Sequence, residues 1–301
     1  MTGNSKDEVA KSLENEGDWE GLAAHLRDKM MSGDPGYHDL ANRLAATLET
    51  KLNQPREAGD VLEWLLDKVP SDTDVRHTLE RLRSETEDWD GLIGAYQRGL
   101  RVTSDVADKV VILDKLLRVQ RDAIGDTEAA RLTCIKTLSL EPNCQWAWSY
   151  LEESHGADES WWELIKGLAH AAMEAGDKSG PITYRIATVM DEHLGQIDKA
   201  TTLYEAALSA GADQVACLDA LEALYAESEN WNQLVETYAR LMPLAADLEE
   251  RTTLRTNWAM VLSDALGDIP GALKLYDAIL EENPEDKEAF QAMMALQKRT
   301  G

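Results

Sequence analysis

The sequence is poor in the residues that build disulfide frameworks and metal sites. Its three cysteines, Cys134, Cys144 and Cys217, are an odd and widely spaced set without a CxxC pair, which predicts free thiols in a reducing compartment. The six histidines form no HxxxH or HExxH pattern and no group with cysteine. We therefore expect no metal site and no cofactor.

Long apolar runs are also absent. No run approaches the roughly 18 apolar residues that a membrane-spanning helix needs. The opening residues, MTGNSKDEVA, lack the apolar core of a signal peptide. These absences predict a cytoplasmic protein without membrane insertion.

Basic residues are scarce relative to acidic ones. Lys and Arg together number 30 and Asp and Glu number 56, which gives a formal charge of −26. A surface of this charge repels a phosphate backbone and an anionic membrane, and it favours basic partners. Nucleic-acid binding is therefore not expected.

Sequence motifs for phosphate binding and nucleophilic catalysis are missing. The chain contains no GxxxxGK[ST], GxGxxG or GxSxG pattern. Carboxylates are so abundant that pairs of them arise by chance, and we assign them to solvated outer faces of helices. The sequence predicts a protein that is not an enzyme.

What the sequence does contain is a repeat of about 70 residues, marked by tryptophan. Each tryptophan of the series follows a residue that favours a helix N-cap. Leucine recurs three residues later and Leu or Tyr seven residues later, which traces one face of an α-helix. The series is Trp19, Trp89, Trp161 and Trp231, preceded by Asp18, Asp88, Ser160 and Asn230.

A second series, marked by alanine, lies between the tryptophans. Leu, Cys or Tyr follows each alanine at four positions and a leucine at eight, and the alanine itself indicates close helix approach. Proline stands twelve residues after three of the four alanines and predicts the helix end there. The series is Ala58, Ala130, Ala200 and Ala272.

Each of these helices has another helical pattern before it, so the chain is predicted to be all-α. It consists of eight helical hairpins of about 35 residues, alternately of a Trp type and an Ala type, and a final helix near 286–299. A single hairpin cannot bury its apolar face, whereas stacked hairpins bury a continuous core.

The second helices of the Ala-type hairpins resemble the tetratricopeptide repeat family. The segments LGDIPGALKLYDAILEENPED (266–286) and LGQIDKATTLYEAALSAGAD (194–213) match most clearly, and IGDTEAARLTCIKTLSLEPN (124–143) matches more loosely. The alternation is similar to degenerate repeats of long bacterial proteins of this family. The resemblance covers nearly the whole chain, 1–301, as a single domain.

The resemblance implies a right-handed superhelical solenoid of about eight repeats plus a C-terminal capping helix. Its concave groove, lined by first helices, binds peptides or partner proteins, and no chemistry is implied. The Trp-type hairpins depart from the family pattern at two places. Leucine replaces the small alanine of the second helix at Leu92, Leu164 and Leu234, and glutamate ends the first helix at Glu80, Glu152 and Glu222.

The middle of the chain carries an aromatic cluster, CQWAWSYLEESHGADESWW. Trp148 and Trp161 fall on repeat positions, so we interpret them as packing residues, and Trp162 as partly exposed. Trp146 and Tyr150 are four residues apart and share a helix face. They are candidate anchors for a partner in the groove; the alternative is that they pack on the neighbouring hairpin.

Basic residues also recur in register on the first helices. Arg43, Lys115 and Arg185 are spaced by 72 and 70 residues, Asn257 is the fourth member, and His77 takes the corresponding place in a Trp-type hairpin. Such a stripe is suited to a partner's carboxylates. Alternatively, the cations pair with acidic residues of the neighbouring hairpin.

We therefore predict a non-enzymatic interaction scaffold that holds an extended or helical segment of a protein partner in its groove. One alternative is a subunit of an RNA-processing assembly built from related half-repeats, although the acidity argues against direct RNA contact. Another is a regulatory module of a larger multidomain protein.

Overall fold

The computed structural model describes residues 7–300, and within that range it consists of α-helices with short π-helical and 3₁₀ turns and no strand. The all-α prediction is confirmed, as are the eight hairpins and the last helix. The helices are α1 Glu8–Glu16, α2 Trp19–Met31, α3 Tyr37–Thr50, α4 Pro55–Lys68, α5 Thr73–Glu85, α6 Trp89–Val102, α7 Val106–Arg118, α8 Thr127–Leu140, α9 Gln145–Asp158, α10 Trp161–Ala175, α11 Gly180–Thr188, α12 Ile197–Ser209, α13 Gln214–Glu227, α14 Trp231–Leu241, α15 Leu248–Met260, α16 Ile269–Glu282 and α17 Lys287–Thr300.

The repeat positions form the helix-packing framework. The alanines of the Ala series are fully buried, so neighbouring helices approach closely at each. The leucines three residues after each tryptophan are at most 2% exposed, whereas the tryptophans themselves are half-buried. The prolines at 70, 142 and 284 each stand two residues beyond the end of a second helix, where proline cannot continue the helix.

Two of the four predicted N-cap residues of the Trp-type hairpins make a capping hydrogen bond. Asp18 and Asp88 each accept a hydrogen bond from the backbone N–H three residues on, at 2.9 and 3.1 Å. Ser160 and Asn230 stand at the same repeat position, but their side chains make no capping hydrogen bond. The cap position is therefore retained while its side-chain contact is lost in the later Trp-type hairpins.

Left-handed residues join the two helices of every hairpin. A residue with positive φ ends the first helix and satisfies the last carbonyls of that helix. Glycine serves this role in four hairpins, and asparagine or glutamate in the other four. The residues are Gly17, Asn53, Glu87, Gly125, Glu159, Gly195, Glu229 and Gly267, with φ between 53° and 76°.

The chain divides between Thr137 and Leu138 into two parts, which we call the N-terminal and C-terminal parts. In the N-terminal part, consecutive helices from α1 to α7 pack on one another around buried leucines such as Leu44 and Leu79. In the C-terminal part, consecutive helices from α9 to α17 do the same. A single domain over 1–301 stays a prediction.

Three first helices of Ala-type hairpins end in a π-helical turn, at Val119–Ile124, Val189–His193 and Val261–Ala265. Each turn leads to the left-handed glycine that starts the reversal of the chain. Within residues 7–300, no helix has the combination of length and apolar character needed to cross a bilayer.

Candidate interaction surface on the first helices

The cations of the predicted basic stripe pair with carboxylates of the neighbouring hairpin, as the alternative interpretation expects. The ammonium of Lys115 on α7 lies 2.7 Å from Glu80 Oε2 on α5. The guanidinium of Arg185 on α11 donates to Glu152 Oε1 on α9 at 3.2 Å. Each pair joins one first helix to the first helix before it. Arg43 on α3 forms the equivalent pair with Glu14 on α1.

An aromatic ring supports two of these cations. Lys115 Nζ lies 5.9 Å from the centre of the Tyr96 ring, and the Arg185 guanidinium lies 5.5 Å from the Trp148 ring. A cation over an aromatic face is attracted by the ring quadrupole. Guanidinium groups carry five N–H donors, so Arg185 keeps donors beyond the one that meets Glu152.

The fourth position of the stripe differs. Asn257 on α15 is half-buried and uncharged, so Glu222 on α13 has no counterpart of the Lys115 ammonium. Burial and the charge of Asp219 raise the pKa of Glu222, while a hydrogen bond from Tyr238 partly offsets the rise. Residues 200–239 contain seven acidic residues and no Lys, Arg or His, so this segment supplies no cation of its own.

His77, the other member of the predicted set, is exposed on α5. The cation that joins α5 to the preceding first helix is Arg81, which lies 2.8 Å from Glu49 on α3. The structure therefore adds Arg81, which the sequence interpretation missed because it stands four residues beyond the predicted place.

The aromatic cluster separates into buried and surface residues. Trp148 is 3% exposed, and its indole N–H donates to the Pro142 carbonyl at 2.9 Å, as a packing residue should. Trp146 and Tyr150 on α9 are both half-buried. Both keep part of their surface open beside the buried Trp148.

The tryptophan pair that opens α10 lies outside this surface. Trp161 stacks on His193 with ring centres 3.8 Å apart and planes within 3°, which agrees with its interpretation as a packing residue. Trp162 is 46% exposed and has the Lys199 ammonium over its ring at 5.6 Å.

A cavity of about 160 Å³ opens among α9, α11 and α13, three consecutive first helices. It combines aromatic rings with charges of both signs at its rim. Sequence reasoning found only Arg185 as a binding candidate here, because the cavity joins residues about 35 positions apart. The lining residues are Asn143, Gln145, Trp148, Pro181, Tyr184, Arg185, Ala212, Asp213 and Ala216.

The two charged groups of this cavity are partly engaged by the protein. One carboxylate oxygen of Asp213 accepts the Ala216 backbone N–H at 2.9 Å and caps α13. Arg185 holds Glu152 with one nitrogen. Both groups retain hydrogen-bonding capacity, so the cavity can take a polar group next to an apolar one.

Within residues 7–300, the side chains that could bind a metal ion do not cluster. No three His, Cys, Asp or Glu side chains in that range are placed to hold a metal ion. All three cysteines are buried. Burial, with smaller contributions from Asp213 and Glu205, raises the pKa of Cys217 to about 11, so its thiol stays protonated at neutral pH.

Comparison with known proteins found similar solved structures but no matching family. No family model matches the chain and no curated protein matches it. Among solved structures, similarity is found to Naa15/Naa10 bound to HypK-THB, with 13% identity over 96% of this chain and 43% of that chain, at a TM-score of 0.40. It is also found to the APC/C hetero-tetramer Cut9-Hcn1, with 14% identity over 91% and 52% of the two chains and a TM-score of 0.32.

A third similar structure is a tetratricopeptide repeat protein from Parabacteroides merdae, with 13% identity over 96% of both chains and a TM-score of 0.30. This chain thus spans about half, or less, of the first two proteins. At these scores the architecture rests on the repeat register and the helix contacts described above. Each part is an array of helical hairpins packed on one another. The first helices of these arrays carry the candidate surface.

Proposed function

We propose that this chain is a non-enzymatic scaffold that binds an extended or helical segment of a partner protein on its first helices. The observation that carries the proposal is the cavity among α9, α11 and α13. It lies on elements that a rigid helical framework holds in place, so binding requires little ordering of this protein.

The residues of the cavity suit a polypeptide ligand. Tyr184 is half-buried and presents part of its ring beside the buried Trp148, and aromatic residues are enriched among the side chains that dominate binding energy. Arg185 and Asp213 offer a donor and an acceptor at the rim, which suits backbone amides and polar side chains. Trp146 and Tyr150 extend the same helix as half-buried aromatic residues, and we retain them as candidate contacts.

The residues of the predicted basic stripe are expected to contribute to binding to different extents. Arg43, Lys115 and Arg185 are held by glutamates, so a partner's carboxylate must compete with Glu14, Glu80 and Glu152 respectively. We therefore expect Arg43 and Lys115 to tune a partner's preference, and only Arg185, which also lines the cavity, to contribute directly to binding. His77 and Asn257 stand at open or half-open positions, where a partner can reach them.

The experiment is site-directed photocrosslinking in lysate of the source organism. A photoreactive side chain replaces Gln145, which is exposed and lines the cavity, and in a matched control it replaces Met173 on the second helix α10, which is 82% exposed. The proposal expects a crosslinked protein from position 145 that is absent from position 173. Equal crosslinking from both positions, or none from position 145, would contradict it.

Two substitutions then test which residues bind. Arg185→Ala is expected to weaken capture of that protein at least fivefold, because its donors face the cavity. Trp146→Ala should preserve the helical circular dichroism signal and reduce capture. Unfolding of this variant would show that Trp146 packs in the core, and unchanged capture would remove it from the surface.

A further inference from the structure

The N-terminal part contains a second cavity, of about 250 Å³, at the carboxyl ends of α4 and α6 and the start of α5. Its floor is apolar and its rim is basic, which is unusual in a chain with a formal charge of −26. It does not involve the α9–α13 cavity, so it is independent of the proposed function. The lining residues are Leu66, Asp67, Pro70, Arg76, Ala95, Arg98, Gly99, Arg101 and Val102.

The three arginines of this cavity are only partly used by the protein. Arg76 Nη2 donates to the Pro70 carbonyl at 2.7 Å, and Arg98 Nη2 lies 2.7 Å from Glu63 Oε1. Arg101 Nε makes a long hydrogen bond of 3.4 Å to the Gln97 carbonyl. Each guanidinium has five N–H donors, so most of their donors are not taken by these contacts.

One of these donors is buried without an acceptor. Arg98 Nε is shielded from solvent and has no hydrogen-bond partner within residues 7–300. Leaving a buried charged donor unsatisfied is costly, and a bound acceptor would remove that cost. This observation is separate from the charge of the cavity.

A glycine, Gly99, lies in the lining of the cavity. A Cβ added at Gly99 would lie 3.8 Å from Arg76 Nε and 3.4 Å from Ile112 Cδ1, which is ordinary contact distance. Alanine would therefore fit at this position inside α6 and would favour the helix. Glycine leaves the volume of this methyl group unfilled between Arg76 and Ile112.

We propose that this cavity binds an aliphatic carboxylate, with the alkyl part on Leu66, Ala95 and Val102 and the carboxylate on the arginines. Guanidinium groups match the planar geometry of a carboxylate. The cavity is lined by three arginines and one carboxylate, that of Asp67. Glu63, which pairs with Arg98, is shared with Arg83. This surplus of positive charge favours an anion. The C-termini of α4 and α6 lie nearby, and their negative dipole ends oppose any anion; they oppose a doubly charged phosphate more strongly than a singly charged carboxylate.

Two sources of this ligand are distinguishable: a free short-chain acid and a glutamate side chain of a polypeptide. The probes are butyrate and the peptide acetyl-Gly-Glu-Gly-amide, with butyramide and the corresponding Gln peptide as uncharged controls. Inorganic phosphate is a third probe. Binding is followed on the full chain through the arginine Nε–H signals in nitrogen-proton NMR spectra.

The proposal expects saturable shifts of the Arg76, Arg98 and Arg101 signals with at least one carboxylate probe and none with its amide. Arg101→Gln, an exposed position, should weaken binding at least fivefold, and Gly99→Ala should weaken it by narrowing the cavity without changing charge. Arg118→Gln is the matched control, because Arg118 is 66% exposed, pairs with Asp114 and lies outside the cavity.

Shifts with butyrate alone would identify the ligand as a free acid, and shifts with the peptide alone would identify it as a polypeptide side chain. Either result supports the site. The proposal is overturned if neither carboxylate shifts the signals, if the amides shift them equally, or if only phosphate does. Equal weakening by Arg118→Gln and Arg101→Gln would also overturn it, since this would reflect overall charge.

Discussion

In the layer formed by α5, α6 and α7, Glu80 pairs with the ammonium of Lys115. In the layer formed by α13, α14 and α15, Glu222 takes the place of Glu80, and the uncharged Asn257 takes the place of Lys115. We call these the paired layer and the unpaired layer. Tyr96 and Tyr238 take equivalent places behind the two glutamates, and burial raises the pKa of both phenols. At this point the two layers share a glutamate and a tyrosine, and they differ in the residue at the Lys115 position, which is Asn257 in the unpaired layer.

The difference shows that the apolar framework and the polar contacts of the repeat vary separately. A core residue must fill a fixed volume, because a void or an overlap costs free energy directly. A half-exposed cation can be replaced by asparagine without leaving a void. Four tests can break or sharpen the comparison, and they follow from the largest expected effect to the smallest.

The largest effect is expected in the shared core. Leu79 in the paired layer and Leu221 in the unpaired layer are both 0% exposed. Alanine at either position should lower the free energy of unfolding by about 3 kcal/mol. Urea unfolding of the full chain, followed by circular dichroism, measures both losses. A Leu221→Ala loss less than half that of Leu79→Ala would show that the layers do not share a core.

The second effect is loss of the pair in the paired layer. The Lys115 side chain is 38% exposed and that of Glu80 is 12% exposed, so the pair is partly screened by water. Lys115→Asn, which copies the unpaired layer, should cost about 1 kcal/mol.

Lys115→Met is the control for that substitution, because it keeps the apolar stem and removes the charge. A Met variant as stable as the native protein would assign the cost to lost packing rather than to the missing charge.

The third effect is the reverse substitution. Asn257→Lys places an ammonium opposite Glu222 and should add about 0.5 kcal/mol to the free energy of unfolding. It should also lower the pKa of Glu222, which NMR of the labelled carboxyl group can follow. Asn257→Gln is the uncharged control of similar length. Equal stability of the Lys and Gln variants would mean that position 257 does not reach the glutamate.

The smallest effect is a pH dependence. Burial and Asp219 raise the pKa of Glu222 in the folded state, so the folded state binds more protons than the unfolded one. The stability from this group is present below the unfolded pKa and is lost as pH rises through the folded pKa. Glu222→Gln should therefore flatten the decline of stability from pH 4.5 upward.

For Asp72, in the N-terminal part, the expected pH dependence of stability has the opposite sign. The Val75 backbone N–H and His38 lower the pKa of its carboxyl group, so its contribution is lost as pH falls below the ordinary Asp range. Asp72→Asn should flatten the acid limb of the same titration. Identical slopes for both variants and the native chain would contradict both assignments.

Much of the fold was predictable because packing repeats with the helix period. A buried alanine or leucine recurs wherever two helices must meet at a fixed distance, so Ala58 and Ala130 mark their helices without any coordinates. Helix ends were predictable for a similar reason, since proline at 70, 142 and 284 acts through its own ring.

The candidate surface was predictable only in part. The register of Arg43, Lys115 and Arg185 was visible in the sequence, but their partners were not, because a long side chain reaches several carboxylates and the chosen one depends on helix spacing. Arg81 is an example: it forms the same kind of pair, with Glu49, from a position one helical turn beyond His77, where the repeat predicted the cation.

The sequence by itself determined the class of this protein: helices, their pairing into two alternating hairpins, and the residues that separate them. These are local or periodic properties, decided by propensity and by which face of a helix is apolar. Only the tertiary structure decided which cations remain available and where the two cavities lie. Such features arise where side chains from several helices leave space between them, so the sequence pattern of a single helix does not predict them.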